Sequence, residues 1–206
     1  MKRVTRAASR GPTAPAPHEE LRVKDRAAWE RWLARHHARS SGVWLVLAKK
    51  GADLSTPTYA EALEVALCFG WIDGKKGARD AATWAQRFGP RGPKSLWSKV
   101  NVAKAEALIA AGQMKPAGLA AVEAARKDGR WAAAYASQKV AGVPEDLRAA
   151  LDAHPKAAAF FATLGSANRY SILFRLQTAK TLEKRRERLG RFIAMLERHE
   201  TFHPQR

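Results

Sequence analysis

With 206 residues, 46% of them hydrophobic, the chain is long and apolar enough for one large domain or a domain with an appendage, and disorder throughout is excluded. Its 37 Lys and Arg residues against 19 Asp and Glu residues give a formal net charge of +18. This excess favours anionic partners such as nucleic acid, anionic lipid or phosphorylated ligands, although it can also serve solubility alone.

The compartment is indicated by what the sequence lacks. Cys68 is the only cysteine, which excludes an intrachain disulfide and is typical of a reducing compartment. No apolar run reaches the length of a membrane span, and the amino-terminal residues lack the apolar stretch of a secretory signal. We therefore expect a cytoplasmic protein. Residues 1–18 are basic and rich in Pro and Ala, which predicts a disordered basic tail.

Residues 19–139 are predicted to form an α+β core domain. Its predicted strands are residues 20–24, 43–48, 71–74 and 83–88. The connection between the last two strands is too short for a crossover helix, so this pair is predicted to be antiparallel.

Helices are predicted between and after these strands. The residues predicted to begin them are Asp25, Thr58 (in a capping box with Glu61), Ser95 and Pro116. We expect the first to run through Arg39, the second to end at Gly70, and the third to reach about residue 111. Cys68 falls in the last turn of the second helix, where a buried, inert thiol is expected.

Residues 140–206 are predicted to form an all-helical C-terminal segment after a short linker at residues 140–142. Its four helices are predicted to open at Pro144, Pro155, Ser166 and Thr181, the last two as caps. The predicted fold class is α+β, with a small, mostly antiparallel sheet covered by helices and followed by this helical segment.

A specific pattern of Trp, Gly and Pro positions occupies residues 70–101, where WIDG is followed by QRFGPRGPKSLWSKVN. This stretch resembles the signature of the YdeI/OmdA family (bacteriocin-protection, YdeI or OmpD-associated). The similarity extends back through TYAEALEVALCFG and forward through GLAAVEAARKDGRW to the tail ANRYSILFRLQTAKTLEKRRERLGRFIAML. The resemblance implies protection against bacteriocins or antimicrobial peptides, or association with an outer-membrane porin, and it attaches no catalytic residue to the motif.

The strongest candidate site is an anion site that follows the last predicted strand. The residues assigned to it are Asp73, Arg87, Arg91, Lys94, Ser95 and Lys99. Its four cations attract an anion, Pro90 and Pro93 stiffen the loop, and the amides at the predicted helix start lack intrahelical partners. The alternative is an ordinary helix cap at Ser95, a core position for Trp97 and a solvated rim of cations.

We expect Arg87, Arg91 and Lys94 to converge with the helix start on one exposed concave surface, with Asp73 close enough to orient one guanidinium. Asp73 can also act as a general base or bind a ligand amine, or it can shape the turn with Gly74.

A rival site is the basic C-terminal segment. Its cations are Arg169, Arg175, Lys180, Lys184, Arg185, Arg186, Arg188 and Arg191. Short capped helices with these charges can form a helix-turn-helix that reads a nucleic-acid groove. Alternatively, they form a solvated face in which Glu183 and Glu187 serve as partners one helical turn away.

These observations favour a non-enzymatic, stress-protective or anion-binding protein of the cytosol. The alternatives are a nucleic-acid-binding protein and an enzyme acting on an anionic small molecule. No catalytic residue and no cofactor is predicted. No metal ligand is predicted either, because His36 and His37 are adjacent in sequence and lack companion ligands. The sequence leaves the oligomeric state open.

Overall fold

The structure is a computed structural model that describes residues 20–205. They divide into two compact units, residues 20–90 and residues 91–205. The described chain forms four strands and eight helices, and all four strands lie in the first unit. The predicted α+β fold class is therefore confirmed. The predicted tail, residues 1–18, lies outside the described residues, and the predicted domain boundary after residue 139 stays a prediction.

The first unit is a four-stranded sheet with two helices. Its elements are β1 (Glu20–Leu21), α1 (Arg26–His36), β2 (Val43–Ala48), α2 (Tyr59–Cys68), β3 (Trp71–Ala78) and β4 (Thr83–Pro90). The strand order is β1-β2-β4-β3, with β1 parallel to β2 and the other pairs antiparallel. The predicted hairpin is confirmed. The first strand is shorter than predicted, and β3 and β4 are longer.

Local capping signals begin both helices of this unit as predicted. Asp25 accepts a hydrogen bond from the amide of Ala28 at 2.7 Å. Thr58 and Glu61 form the reciprocal capping box. Helix α1 ends three residues earlier than predicted, and the carbonyl of His37, just beyond its end, accepts the indole N–H of Trp71 at 3.2 Å.

The core of the first unit forms where α1 and α2 pack on one face of the sheet. Trp29 is fully buried, with its ring centroid 5.6 Å from that of Phe88 on β4 and 6.4 Å from that of Trp71 on β3. Its indole N–H donates to the carbonyl of Ala62 on α2 at 3.1 Å. This hydrogen bond satisfies the buried polar atom and fixes α1 against α2. Cys68 is buried, as predicted.

The second unit is helical. Its helices are α3 (Lys99–Ala110), α4 (Pro116–Lys127), α5 (Glu145–Asp152), α6 (Pro155–Thr163), α7 (Ser166–Gln177) and α8 (Leu182–Glu197). Thr181 caps α8 as predicted, accepting from the amide of Lys184 at 3.1 Å. The predicted cap at Ser166 is wrong by one residue, because Gly165 holds the extended backbone conformation and Ser166 is already helical.

The predicted start of α3 is also wrong. The helix begins at Lys99, and its cap is Ser98, whose hydroxyl accepts from the amide of Asn101 at 3.2 Å. The chain before it cannot be helical, because it pairs with a distant segment around Tyr135. The amide of Tyr135 donates to the carbonyl of Trp97 at 3.0 Å, and its carbonyl accepts from the amide of Lys99 at 2.9 Å.

Helices α5 to α8 share a hydrophobic core that includes the fully buried Leu147, Ile172, Leu176 and Leu196. Arginines of α8 close one end of α7. Arg185 donates to the carbonyl of Leu176 at 2.7 Å and grips both carboxylate oxygens of Asp146, at 2.6 and 2.8 Å. Arg188 donates to the carbonyl of Arg175 at 2.6 Å. The last turn of a helix lacks donors for its carbonyls, and these side chains supply them.

None of the helices within residues 20–205 has both the length and the apolar character needed to cross a membrane.

A pair of glycine variants tests the backbone of the two units. Gly42 has φ +124°, and a Cβ there would lie 2.6 Å from the carbonyl oxygen of Phe88. Gly42→Ala should therefore lower the free energy of unfolding by about 2 kcal/mol. Gly190 lies inside α8, where an added Cβ meets nothing within 4 Å. Gly190→Ala should raise that free energy by about 0.5–1 kcal/mol, since Ala favours a helix interior. Urea unfolding measures both, and equal effects would contradict the described backbone.

The Asp146–Arg185 pair predicts a pH dependence. The hydrogen bonds from Arg185 lower the pKa of the Asp146 carboxyl below its ordinary value of 3.8. The ionised carboxylate therefore stabilises the fold above that ordinary value, and this contribution is lost as the pH falls through the lowered folded-state pKa. Asp146→Asn should cost about 1 kcal/mol at neutral pH, because the carboxylate is 38% exposed and its pairing is screened.

The difference between wild type and Asp146→Asn should stay constant down to about pH 5 and shrink below about pH 4. Glu187→Gln is the matched control, because Glu187 pairs with Lys184 on the exposed surface of α8 and its loss should have no measurable effect. Urea unfolding from pH 3 to 7 provides the measurement. A pH-independent difference for the Asp146 variant would show that the pair does not contribute as an ion pair.

Candidate functional site

The residues of the predicted anion site belong to both units. Asp73 and Arg87 lie on β3 and β4 of the first unit. The residues in the second unit are Arg91, Lys94, Ser95 and Lys99. The convergence of the two groups on one surface stays a prediction.

The guanidinium of Arg87 holds backbone within the first unit. Its Nη2 donates to the carbonyl of Ser41 at 3.1 Å, and its Nη1 donates to the carbonyl of Phe88 at 3.2 Å. Gly42 leaves space for this side chain, since an added Cβ would collide with its Nη1. Arg87 therefore links the segment just before β2 to strand β4.

Asp73 does not orient Arg87. It lies opposite Phe88 in the β3–β4 register, and because neighbouring strand residues face opposite sides of a sheet, Arg87 is on the other face. The carboxylate of Asp73 accepts instead from the phenol of Tyr59 at 2.7 Å. Burial and this carboxylate raise the pKa of the Tyr59 phenol, so the phenol stays protonated and keeps donating.

Asp73 also borders an aromatic surface that the sequence analysis missed. The ring of Tyr59 lies 6.1 Å from that of Trp84, and the ammonium of Lys76 lies 4.4 Å from the centre of the Trp84 ring. The signal was absent from the sequence, because a β-bulge between Asp73 and Lys76 sets which side chains of β3 share a face.

The second group lies on residues 91–99, here named the 91–99 loop. Its chain folds back on itself, with the amide of Ser95 donating to the carbonyl of Gly92 at 2.9 Å. Arg91 donates through Nη1 to the carbonyl of Leu96 at 3.1 Å, and its guanidinium carbon lies 3.6 Å from the centre of the Trp97 ring. Arg91 therefore closes the loop from its first residue.

Arg130 holds the same loop from outside, and sequence reasoning missed it. Its Nη1 donates to the carbonyl of Ser95 at 2.8 Å. Asp128 positions this guanidinium by accepting from its Nε at 2.8 and 2.9 Å. Arg130 and Ser95 are 35 positions apart, a separation that leaves no local sequence signal for this contact.

The helix start after the loop differs from the predicted anion site. Two of the first amides of α3 already have protein acceptors, since the amide of Lys99 donates to Tyr135 and that of Asn101 donates to Ser98. The side chains of Lys94 and Lys99 are exposed. The loop therefore offers lysines to solvent, while its arginine contacts hold the backbone.

Trp97 is the buried tryptophan of this loop. It is 2% exposed and lies edge-on to Trp131, with ring centroids 4.8 Å apart. Its indole nitrogen is buried and makes no hydrogen bond to an acceptor within residues 20–205. The core position that the alternative to the anion site gave to Trp97 is correct, but its unsatisfied donor could not be foreseen from sequence.

Several cations of the proposed nucleic-acid interface contact the protein itself. Besides Arg185 and Arg188, Arg169 donates to the carbonyl of Ala162 at 3.2 Å, and Arg175 donates to that of Ser171 at 2.9 Å. The exposed cations on α8 include Arg186 and Arg191. Open clefts of about 360 and 320 Å³ flank α8, the first lined by Arg186 and the second by Arg191.

Within the described part of the chain, no three His, Cys, Asp or Glu side chains are grouped so that they could hold a metal ion.

Two family models match the chain. Residues 21–121 match a domain of unknown function (DUF8412), and this range includes the WIDG and PRGPKSLWSKVN motifs. Residues 140–199 match the family described as bacteriocin-protection, YdeI or OmpD-associated. Comparison with curated proteins and with solved structures gave no match. The resemblance is thus confirmed only as a similarity of residues 140–199 to the family described as bacteriocin-protection, YdeI or OmpD-associated.

Proposed function

We propose that this protein is a non-enzymatic, anion-binding protein of the cytosol with a protective role, and that the 91–99 loop is its binding site. The observation that supports this most directly is the fixed backbone of the loop. Arg91 and Arg130 satisfy the carbonyls of Leu96 and Ser95, at 3.1 and 2.8 Å, in a loop whose Lys94 and Lys99 side chains are exposed.

Two physical effects favour an anion there. Guanidinium groups on the carbonyls of Ser95 and Leu96 offset their negative dipole ends, which would otherwise repel an anion. The same contacts order the loop before a ligand arrives, so binding loses less conformational entropy. The two lysines can then supply the charge-assisted hydrogen bonds.

The protective role and the compartment have separate support. The family model that matches residues 140–199 is named for bacteriocin protection. From that name we propose only a protective role for this protein. The single cysteine, buried in α2, agrees with a reducing cytosol.

The two alternatives have less support. Nucleic-acid binding by the C-terminal helices would use arginines such as Arg185 and Arg188 that already donate to backbone carbonyls. An enzyme acting on an anionic small molecule would need a catalytic group. The carboxylate of the candidate, Asp73, is already engaged as the acceptor of a hydrogen bond from the Tyr59 hydroxyl.

Inorganic pyrophosphate is a suitable first probe, because it is small and highly charged. We expect the double variant Lys94→Gln/Lys99→Gln to weaken pyrophosphate binding about tenfold, since each exposed lysine contributes up to about 1 kcal/mol. Isothermal titration calorimetry at low ionic strength measures the affinity.

The control carries Lys24→Gln and Lys156→Gln, which remove the same net charge from exposed positions outside the loop. This control should bind pyrophosphate almost as wild type does. Equal losses in both double variants would show attraction by net charge without a site. The absence of pyrophosphate binding to the wild type would overturn the proposal, and tight duplex-DNA binding that depends on Arg186 and Arg191 would favour the nucleic-acid alternative.

A further inference from the structure

We propose that the indole N–H of Trp97 is the inner donor of this anion site, and that the ligand presents a terminal oxyanion such as a phosphate or sulfate group. This inference rests on the proposed function. It adds a donor that no basic residue supplies and narrows the class of ligand.

The inference starts from a contrast among the most deeply buried tryptophans. Trp29, Trp71 and Trp97 are each at most 2% exposed. Trp29 donates to the carbonyl of Ala62 at 3.1 Å, and Trp71 donates to that of His37 at 3.2 Å. The indole nitrogen of Trp97 has no acceptor among the described residues. Burial of an N–H group without an acceptor is unfavourable, so such a donor calls for a bound acceptor.

The surroundings of Trp97 favour a negatively charged acceptor. The guanidinium carbon of Arg91 lies 3.6 Å from the centre of the Trp97 ring, and Trp131 packs edge-on at 4.8 Å. The guanidinium carbon of Arg126 lies 5.2 Å from the centre of the Trp131 ring. An oxygen that accepts from the Trp97 N–H in the plane of its ring therefore sits beside positive charge, where an anion is stabilised more than a neutral acceptor.

The burial of this donor restricts the ligand. In the proposed site, one oxygen of a terminal phosphate or sulfate accepts from Trp97, and its other oxygens are left for lysines of the loop such as Lys94 and Lys99. A phosphodiester within a nucleic-acid chain is flanked by sugars on both sides, so its approach to a buried donor is sterically less favourable than that of a terminal group. The site is therefore expected to take inorganic phosphate, pyrophosphate or a phosphomonoester.

Indole N–H resonances test the inference in the full-length protein. The seven tryptophans give separate signals after ¹⁵N labelling, and Trp97→Phe assigns the signal of interest. On titration with pyrophosphate, we expect the Trp97 indole proton to move downfield and to saturate together with the calorimetric binding curve. Trp97→Phe should weaken pyrophosphate binding about tenfold, as expected for a lost hydrogen bond to a charged acceptor. Trp131→Phe, which keeps the donor, should bind more tightly than Trp97→Phe.

The outcomes separate the two proposals. If pyrophosphate binds in a Lys94- and Lys99-dependent way while the Trp97 signal stays unchanged, the inference is overturned and the proposed function stands. If the Trp97 indole proton shows a contact with exchangeable water and its resonance does not shift with pyrophosphate, the donor binds a buried water only. This outcome also overturns the inference. If pyrophosphate does not bind at all, both proposals fall. The wild-type titration decides the matter even if Trp97→Phe does not fold.

Discussion

Hydrogen bonds from arginine side chains to backbone carbonyls are the interaction on which the rest of this structure depends. In the sheet, Arg87 joins the carbonyls of Ser41 and Phe88. In the helical unit, Arg185 and Arg188 satisfy carbonyls in the last turn of α7. The ends of helices and loops leave such carbonyls without partners, and a planar cation with several donors satisfies them well. Several of the arginines therefore serve the fold.

Because arginines are used in this way, only part of the net charge of +18 is available to bind anionic partners. Cations that hold carbonyls lose part of their capacity to bind an outside anion, whereas exposed lysines keep theirs. The 91–99 loop combines both roles, because Arg91 and Arg130 order the backbone that carries Lys94 and Lys99. The proposed function rests on these two roles, arginines that order the backbone and lysines that stay exposed, and it needs no catalytic group.

The sequence predicted those features whose signals are local. The caps at Asp25 and Thr58 and the bounds of β2 depend on residues within one helical turn or one strand, and the structure confirms them. The start of α3 depends on Tyr135, and the shape of the 91–99 loop depends on Arg130; both are more than 30 residues away from their partners. Contacts of that kind leave no pattern in a single sequence.

The most direct test of the central claim is the position of a heavy tetrahedral oxyanion in a crystal of the full-length protein. Selenate resembles phosphate in shape and can be located by its anomalous scattering. The account predicts a selenium peak at the 91–99 loop, with one oxygen within about 3 Å of the indole nitrogen of Trp97. Selenate bound only along α8, with water or nothing beside Trp97, would contradict it.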